Sequence, residues 1–167
     1  MKTKLMALVL ISVILSGMGL VSAITYYHTS GKPIKQIRLF MKDPATWIRY
    51  DKLGRGYLDY NPEREEFYYY LKAYKLAPET EYTLIYYGDE THNDVWPYAT
   101  CIGTGMSNNF GKMLMSGSYD FGYDLVDAKI WLVTSTDVDC AAGRMIAWNP
   151  TDYLFENNLI SYDDTNA

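Results

Sequence analysis

The chain predicts an all-β fold, an antiparallel β-sandwich of eight or nine short strands. Three observations carry that expectation. Apolar and polar residues alternate at period two through most of the sequence after residue 24. Turn-forming Gly, Pro, Asn and Asp recur at short intervals, and no segment shows an apolar stripe at 3.6-residue spacing over helical length. Tyrosine is abundant to match, with 17 residues and none among the first 23. Its ring packs on a half-buried pleated surface while the hydroxyl reaches water. The same property suits tyrosine to a face that recognises sugar or protein.

The first 23 residues stand apart from this pattern. Lys2 and Lys4 precede an apolar run from Leu5 to Leu15, and Val21-Ser22-Ala23 offers small residues where a cleavage site belongs. That is the layout of a secretory signal peptide. The run is well short of the roughly 20 residues that a membrane span needs. An uncleaved signal anchor is the alternative, because loosely apolar residues continue to Ile24. The expected product is one domain, residues 24–167, secreted or displayed on the cell surface, with no membrane span after cleavage. Loss of the leader removes two lysines and no acid, leaving 13 Lys+Arg against 20 Asp+Glu and a net charge of −7. Such an acidic chain, with no basic patch interleaved with aromatics, argues against nucleic acid and anionic membrane surfaces as partners.

Within the domain, Ile37, Leu39 and Met41 alternate with Gln36, Arg38 and Lys42 in a first strand that Asp43-Pro44 ends. Trp47 to Tyr50 reads as a short second strand. Gly54-Arg55-Gly56 turns the chain into Tyr57-Leu58-Asp59-Tyr60, and Asn61-Pro62 breaks it again. Phe67, Tyr69, Leu71 and Ala73 line one face of a longer strand, and Tyr68, Tyr70 and Lys72 line the other. A turn at Ala77 to Thr80 leads into Tyr82 to Tyr87, a β-rich run. After a turn at Ser107 to Gly111, Met113 and Met115 alternate with Lys112, Leu114 and Ser116. Ala128 to Thr134 is the most apolar stretch and fits a central strand covered on both faces. Arg144 to Trp148 and Tyr153 to Phe155 complete the set, separated by Asn149-Pro150.

Three of these segments carry a family resemblance: Leu76 to Tyr87 (LAPETEYTLIYY), Asp127 to Val133 (DAKIWLV) and Trp148 to Glu156 (WNPTDYLFE). With Asp43-Pro44 and Trp47, they resemble a family of uncharacterised exported domains found mainly in archaea. Pro78-x-Thr80-x-Tyr82 is also similar to a turn of fibronectin type III domains. Both resemblances imply a β-sandwich, and neither brings an activity to any residue.

Chemistry-bearing residues are few. Cys101 and Cys140 are the only cysteines, and a lone pair in an exported protein most simply forms one disulfide. Closing a loop of about 40 residues contributes roughly 4 kcal/mol in the chain-entropy picture. His28 and His92 lie far apart, His28 near the new N-terminus and His92 in a polar loop, and no G-x-S-x-G elbow exists for a serine hydrolase. Glu63, Glu65 and Glu66 cluster beside a turn, where charge is expected without catalysis. Asp120, Asp124 and Asp127 form the candidate calcium site, although turn-forming aspartates account for the same residues. Asp137 with Asp139, and Asp89 with Glu90 and Asp94, are further acidic groups. No cofactor other than this calcium is implied. Gly103-x-Gly105 fits a strand bulge better than a phosphate loop, since no helix follows. Trp131 reads as core. Trp96, beside Pro97 and Tyr98, is the candidate recognition aromatic; a loop aromatic capping the sandwich is the alternative.

These features favour a non-enzymatic surface module that binds a protein, a glycan or another cell-envelope component. A small secreted hydrolase working through Asp or Glu, and a structural subunit of an envelope or filament assembling through strand edges, are the alternatives. The cysteine pairing is checked by thiol titration of unreduced, denatured protein. No reactive thiol is expected, and two per chain would disprove the bond.

Overall fold

The computed structural model describes residues 33–50, 53–88 and 96–167. The predicted signal segment 1–23, His28, and the loop residues Asp89, Glu90, His92 and Asp94 lie outside them. In chain order the strands are β1 (Lys35–Phe40), β2 (Arg55–Tyr60), β3 (Glu63–Arg64), β4 (Phe67–Tyr74), β5 (Glu81–Tyr86), β6 (Thr100–Met106) and β7 (Met113–Tyr119). They continue as β8 (Leu125–Ala128), β9 (Ile130–Thr134), β10 (Val138–Asp139), β11 (Arg144–Met145), β12 (Leu154–Glu156) and β13 (Ile160–Asp164). Two short 3-10 turns are the only helical segments among the described residues.

Eight strands form one antiparallel sheet in the order β6-β5-β9-β12-β1-β2-β4-β7. The all-β, antiparallel class is the one expected. A single sheet supplies the facing layers by curling until its edge strands β6 and β7 pack together, so the architecture comes close to a closed barrel. Alternation decides what lies inside. Phe67, Tyr69, Leu71 and Ala73 of β4 join Leu39, Leu58, Leu84 and Leu132 in the interior, as the period-two pattern predicts. A small sheet in the order β3-β13-β8 adds Leu125, Ala128, Ile160 and Tyr162 to the same core.

The seam between β6 and β7 depends on glycine. The Tyr69 ring lies against Gly103 of β6 and Gly117 of β7. A Cβ on Gly117 would stand 2.8 Å from the Tyr69 hydroxyl, and one on Gly103 would overlap that oxygen outright. Missing side chains therefore make room for the ring that fills the seam. The β5–β6 register also slips beside Gly103, between Leu84 and Ile85, which is the bulge that the glycine pair suggested.

Strands β9 and β12 are buried on both faces. Ile130 and Leu132 belong to the interior, whereas Trp131 and Val133 join Ile85, Tyr153, Phe155, Val138 and Met145 in a second core outside the sheet. The chain from Ser135 to Tyr153, which carries β10 and β11, covers this second core. The Cys101–Cys140 disulfide ties that cover to β6, with a Cα–Cα distance of 5.6 Å.

Three sequence expectations shift in detail. The apolar stretch 128–134 divides at Lys129, whose N–H bonds Gly88 and whose carbonyl accepts the Tyr87 N–H, so β8 and β9 separate there. Trp47 to Tyr50 is a loop carrying one bridge, Lys42 to Arg49, because Asp43 folds the chain into a tight turn. Pairing in 144–148 stops at Met145, since Asp137 O takes the next two N–H groups, from Ile146 and Ala147.

Gly103→Ala is expected to lower stability by about 1–3 kcal/mol through overpacking. Adding Tyr69→Phe should recover part of the loss by removing the clashing oxygen. Urea midpoints of the parent, the two single variants and the double variant measure this; equal midpoints for Gly103→Ala and the parent would refute the seam.

Candidate ligand-binding groove

The cover over the second core is incomplete, and aromatic side chains line what it leaves open. Phe155 of β12 and Trp131 of β9 are cross-strand partners whose rings meet edge to face at 5.1 Å. Tyr87, just past β5, stacks on Trp131 at 4.1 Å. Three loop tryptophans stand around this floor: Trp47 from the β1–β2 loop, Trp96 before β6, and Trp148 from the covering segment. Trp148 is the hub, with ring centroids 6.5 Å from Trp47, 5.3 Å from Trp96 and 5.9 Å from Trp131. All four tryptophans of the chain thus line one groove of about 740 Å³, with Lys42, Lys129 and Glu156 as its charged groups. Trp47, Trp96 and Trp148 keep 50%, 47% and 40% of their surface exposed, large values for the residue with most to gain from burial.

Two carboxylates set these indoles in place. Asp43 Oδ1 accepts the N–H groups of Ala45 (2.9 Å) and Thr46 (2.8 Å), and Oδ2 accepts the Tyr50 hydroxyl (2.7 Å). The Asp43 carbonyl takes the Trp47 N–H at 2.7 Å. This network holds Trp47 at φ +58°, a left-handed conformation that bulky residues seldom adopt. The same bonds, that from Tyr50 foremost, lower the Asp43 carboxyl to about 2.

Asp137 does the corresponding work for Trp148. Its buried carboxylate accepts hydrogen bonds from Tyr153 Oη (2.5 Å), Thr134 Oγ1 (2.8 Å) and Asn149 Nδ2 (2.9 Å). Asn149 follows Trp148 directly, and its N–H reaches the Tyr153 hydroxyl at 3.0 Å. Burial pushes the Asp137 carboxyl up, yet these bonds together leave it below its ordinary value. Hydrogen bonding to the charged form prevails.

Glu156 lies beneath the aromatic walls. Burial pushes its carboxyl up to about 7, against the opposing pull of its own backbone N–H, of Lys42 and Lys129, and of the Trp131 indole. Lys42 Nζ donates to the Glu156 carbonyl at 2.7 Å. Glu156 Oε2 and Trp131 Nε1 are buried beside each other without a well-formed hydrogen bond among the described residues, although the indole N–H is near enough to favour the charged carboxylate. This carboxyl oxygen and indole donor satisfy each other only in part, in a mostly apolar groove. That is the polar complement by which a small-molecule site fixes orientation.

Of the sequence candidates, Trp96 lies in this groove. Tyr98 is 55% exposed and pairs its backbone with Arg144, outside the lining. Trp131 is buried as expected and also forms the groove floor. Asp120 Oδ1 accepts the Gly122 N–H at 2.9 Å, and Asp124 Oδ1 accepts the Asp164 N–H at 2.8 Å. Asp127 is exposed at φ +53°. Among the described residues no group of three or more His, Cys, Asp or Glu side chains is placed to hold a metal ion. Trp47, Trp148, Tyr87, Phe155, Glu156, Lys42 and Lys129 escaped the sequence reading. One signal was available: Trp47, Trp96 and Trp148 each sit within three residues of a proline, in turns that leave large rings outside the strands.

Compared with models of known families, with curated proteins and with solved structures, the chain matches none of them.

Glu156 generates a pH prediction. Its ordinary pKa is 4.5 and its folded value about 7, so the folded state holds the proton more tightly across that window. Stability must then fall as pH rises from 4.5 towards 7, by a cost on the order of 3 kcal/mol once ionisation is complete. Glu156→Gln removes the ionisation. The variant should melt above the parent at about pH 8 and lose that advantage at about pH 4; a gap that does not change with pH would refute the assignment.

Proposed function

We propose that this protein is an exported, non-enzymatic binding domain whose ligand is a glycan held in the tryptophan groove. The carrying observation is the gathering of all four tryptophans around one opening, three of them from loops and half exposed. An indole offers a flat face with negative charge density, against which the slightly positive C–H face of a pyranose ring packs. Several such faces around one groove suit a chain of sugars. Sugar hydroxyls both donate and accept, so they can satisfy Trp131 Nε1 and the Glu156 carboxyl together.

Lys42 and Lys129 favour this ligand over a quaternary ammonium, which aromatic cages also bind. Two ammonium groups at the walls would repel a cationic guest. Among the described residues Glu156 is the one carboxylate that lines the groove, whereas glycoside hydrolysis ordinarily calls for a facing pair. That supports binding over catalysis.

The test is co-sedimentation of the purified protein with insoluble cell-envelope polysaccharide, followed by calorimetry with soluble oligosaccharides released from it. Trp148→Ala, which removes the hub, should weaken binding at least tenfold, about 1.4 kcal/mol or more. Trp96→Ala should weaken it in the same direction. Failure of the parent to bind, or binding by both variants at parental strength, would refute the proposal.

A further inference from the structure

A second cleft lies beside the tryptophan groove on the outer face of β1 and β2. It has a volume of about 160 Å³ and is lined by Arg38, Phe40, Arg49, Arg55, Gly56 and Tyr57. Three of the five arginines in an acidic chain meet here. Strand register brings them together. Arg38 pairs with Tyr57 and Phe40 with Arg55, while the intervening Ile37, Leu39 and Leu58 turn into the core. Arg38 and Arg55 are therefore diagonal neighbours on one face. Arg49 arrives from the β1–β2 loop through its bridge to Lys42.

Aromatic rings order two of the three guanidinium groups. Arg38 Cζ stands 5.9 Å from the Tyr57 ring centre, and Arg49 Cζ stands 4.8 Å from that of Phe40. Both distances lie within cation–π range, and an arginine grips oxyanions through its N–H edge in a bidentate fork. Arg38 and Arg55 bring like charges to neighbouring positions on one face, an arrangement that a shared anion favours.

We propose that Arg38 and Arg55, in the cleft whose wall Arg49 also lines, form a binding site for a tetrahedral oxyanion, a sulfate or phosphate ester, carried on the glycan that fills the tryptophan groove. The oxyanion site stands on the arginine geometry; its assignment to a glycan rests on the groove reading. Continuity of the surface supports that assignment. Phe40 lines the arginine cleft, its ladder partner Phe155 lines the groove, and Lys42 links the two through Arg49. An extended polymer passing over this shared wall would place sugar rings on the indoles and an ester group among the arginines.

The test is affinity electrophoresis of the purified protein in gels containing dextran sulfate, a phosphorylated mannan or unmodified dextran. Parental protein should be retarded by at least one charged polymer and not by unmodified dextran at equal concentration; the stronger of the two identifies the ester. Arg38→Gln and Arg55→Gln should each weaken retardation at least fivefold. Arg144→Gln, which removes the same charge elsewhere, should change it less than twofold. No retardation by either charged polymer, or an equal loss in Arg144→Gln, would overturn the site. Failure of the groove reading looks different: Trp148→Ala would then bind the envelope polysaccharide at parental strength, while the arginine variants still lost retardation by the charged polymers.

Discussion

Asp137 is a charged group beneath an outer layer, and that layer is what gives the protein a site. Strands β5, β9 and β12 lie in the middle of the sheet and carry large apolar side chains on both faces, so a curled sheet alone would leave Trp131, Phe155 and Ile85 in water. The chain between β9 and β12 must fold back over them. It is too irregular to hold itself by a long ladder, and its two-residue strands β10 and β11 pair over only two positions. A buried carboxylate that gathers Tyr153, Asn149 and Thr134 supplies what regular pairing does not. Leaving such a charge without partners would be strongly unfavourable, so the segment keeps one arrangement. The groove is the remainder: the part of the second core that the pinned segment does not reach.

The barrel-like closure works by the opposite means. At the β6–β7 seam nothing charged is required; two side chains are simply missing, and Tyr69 occupies the space. One protein thus uses omission inside and hydrogen bonding outside to fix its two cores. A disulfide joins the two solutions, because Cys101 sits on a seam strand and Cys140 on the outer layer.

Much of this was legible in the sequence wherever contacts are local or pairwise. The alternation in β4, the double burial of the run that contains Trp131, and the cysteine pair depend on side-chain period, hydrophobicity and counting. The groove was not legible. Lys42, Lys129 and Glu156 come from just past the end of β1, the entry to β9, and β12, and they meet only because the sheet places those three strands in succession. A strand order of that kind is absent from periodicity. Trp96 could be singled out because it lies beside proline in a loop, and the same reasoning applies to Trp47 and Trp148. Tyr98 shows the limit of such reasoning: it shares the loop, but its backbone bridge with Arg144 sets its side chain outside the groove lining. The arginine cleft was hidden for a similar reason, since Arg49 reaches it through a loop folded by Asp43 rather than along a strand.

The clustering of every indole has an optical consequence. Tryptophan dominates ultraviolet emission when proteins are excited at the red edge of their absorption, and here all such emitters stand around one opening. Tyrosine-rich strands elsewhere are silent under those conditions. Ring centres between 5.3 and 6.5 Å from Trp148 are close enough for their electronic transitions to couple, which gives paired bands of opposite sign in circular dichroism. The chain therefore carries its own spectroscopic label. A change in the mutual tilt of these four rings would be visible in unmodified protein, and in emission excited at the red edge the other aromatic residues contribute almost nothing.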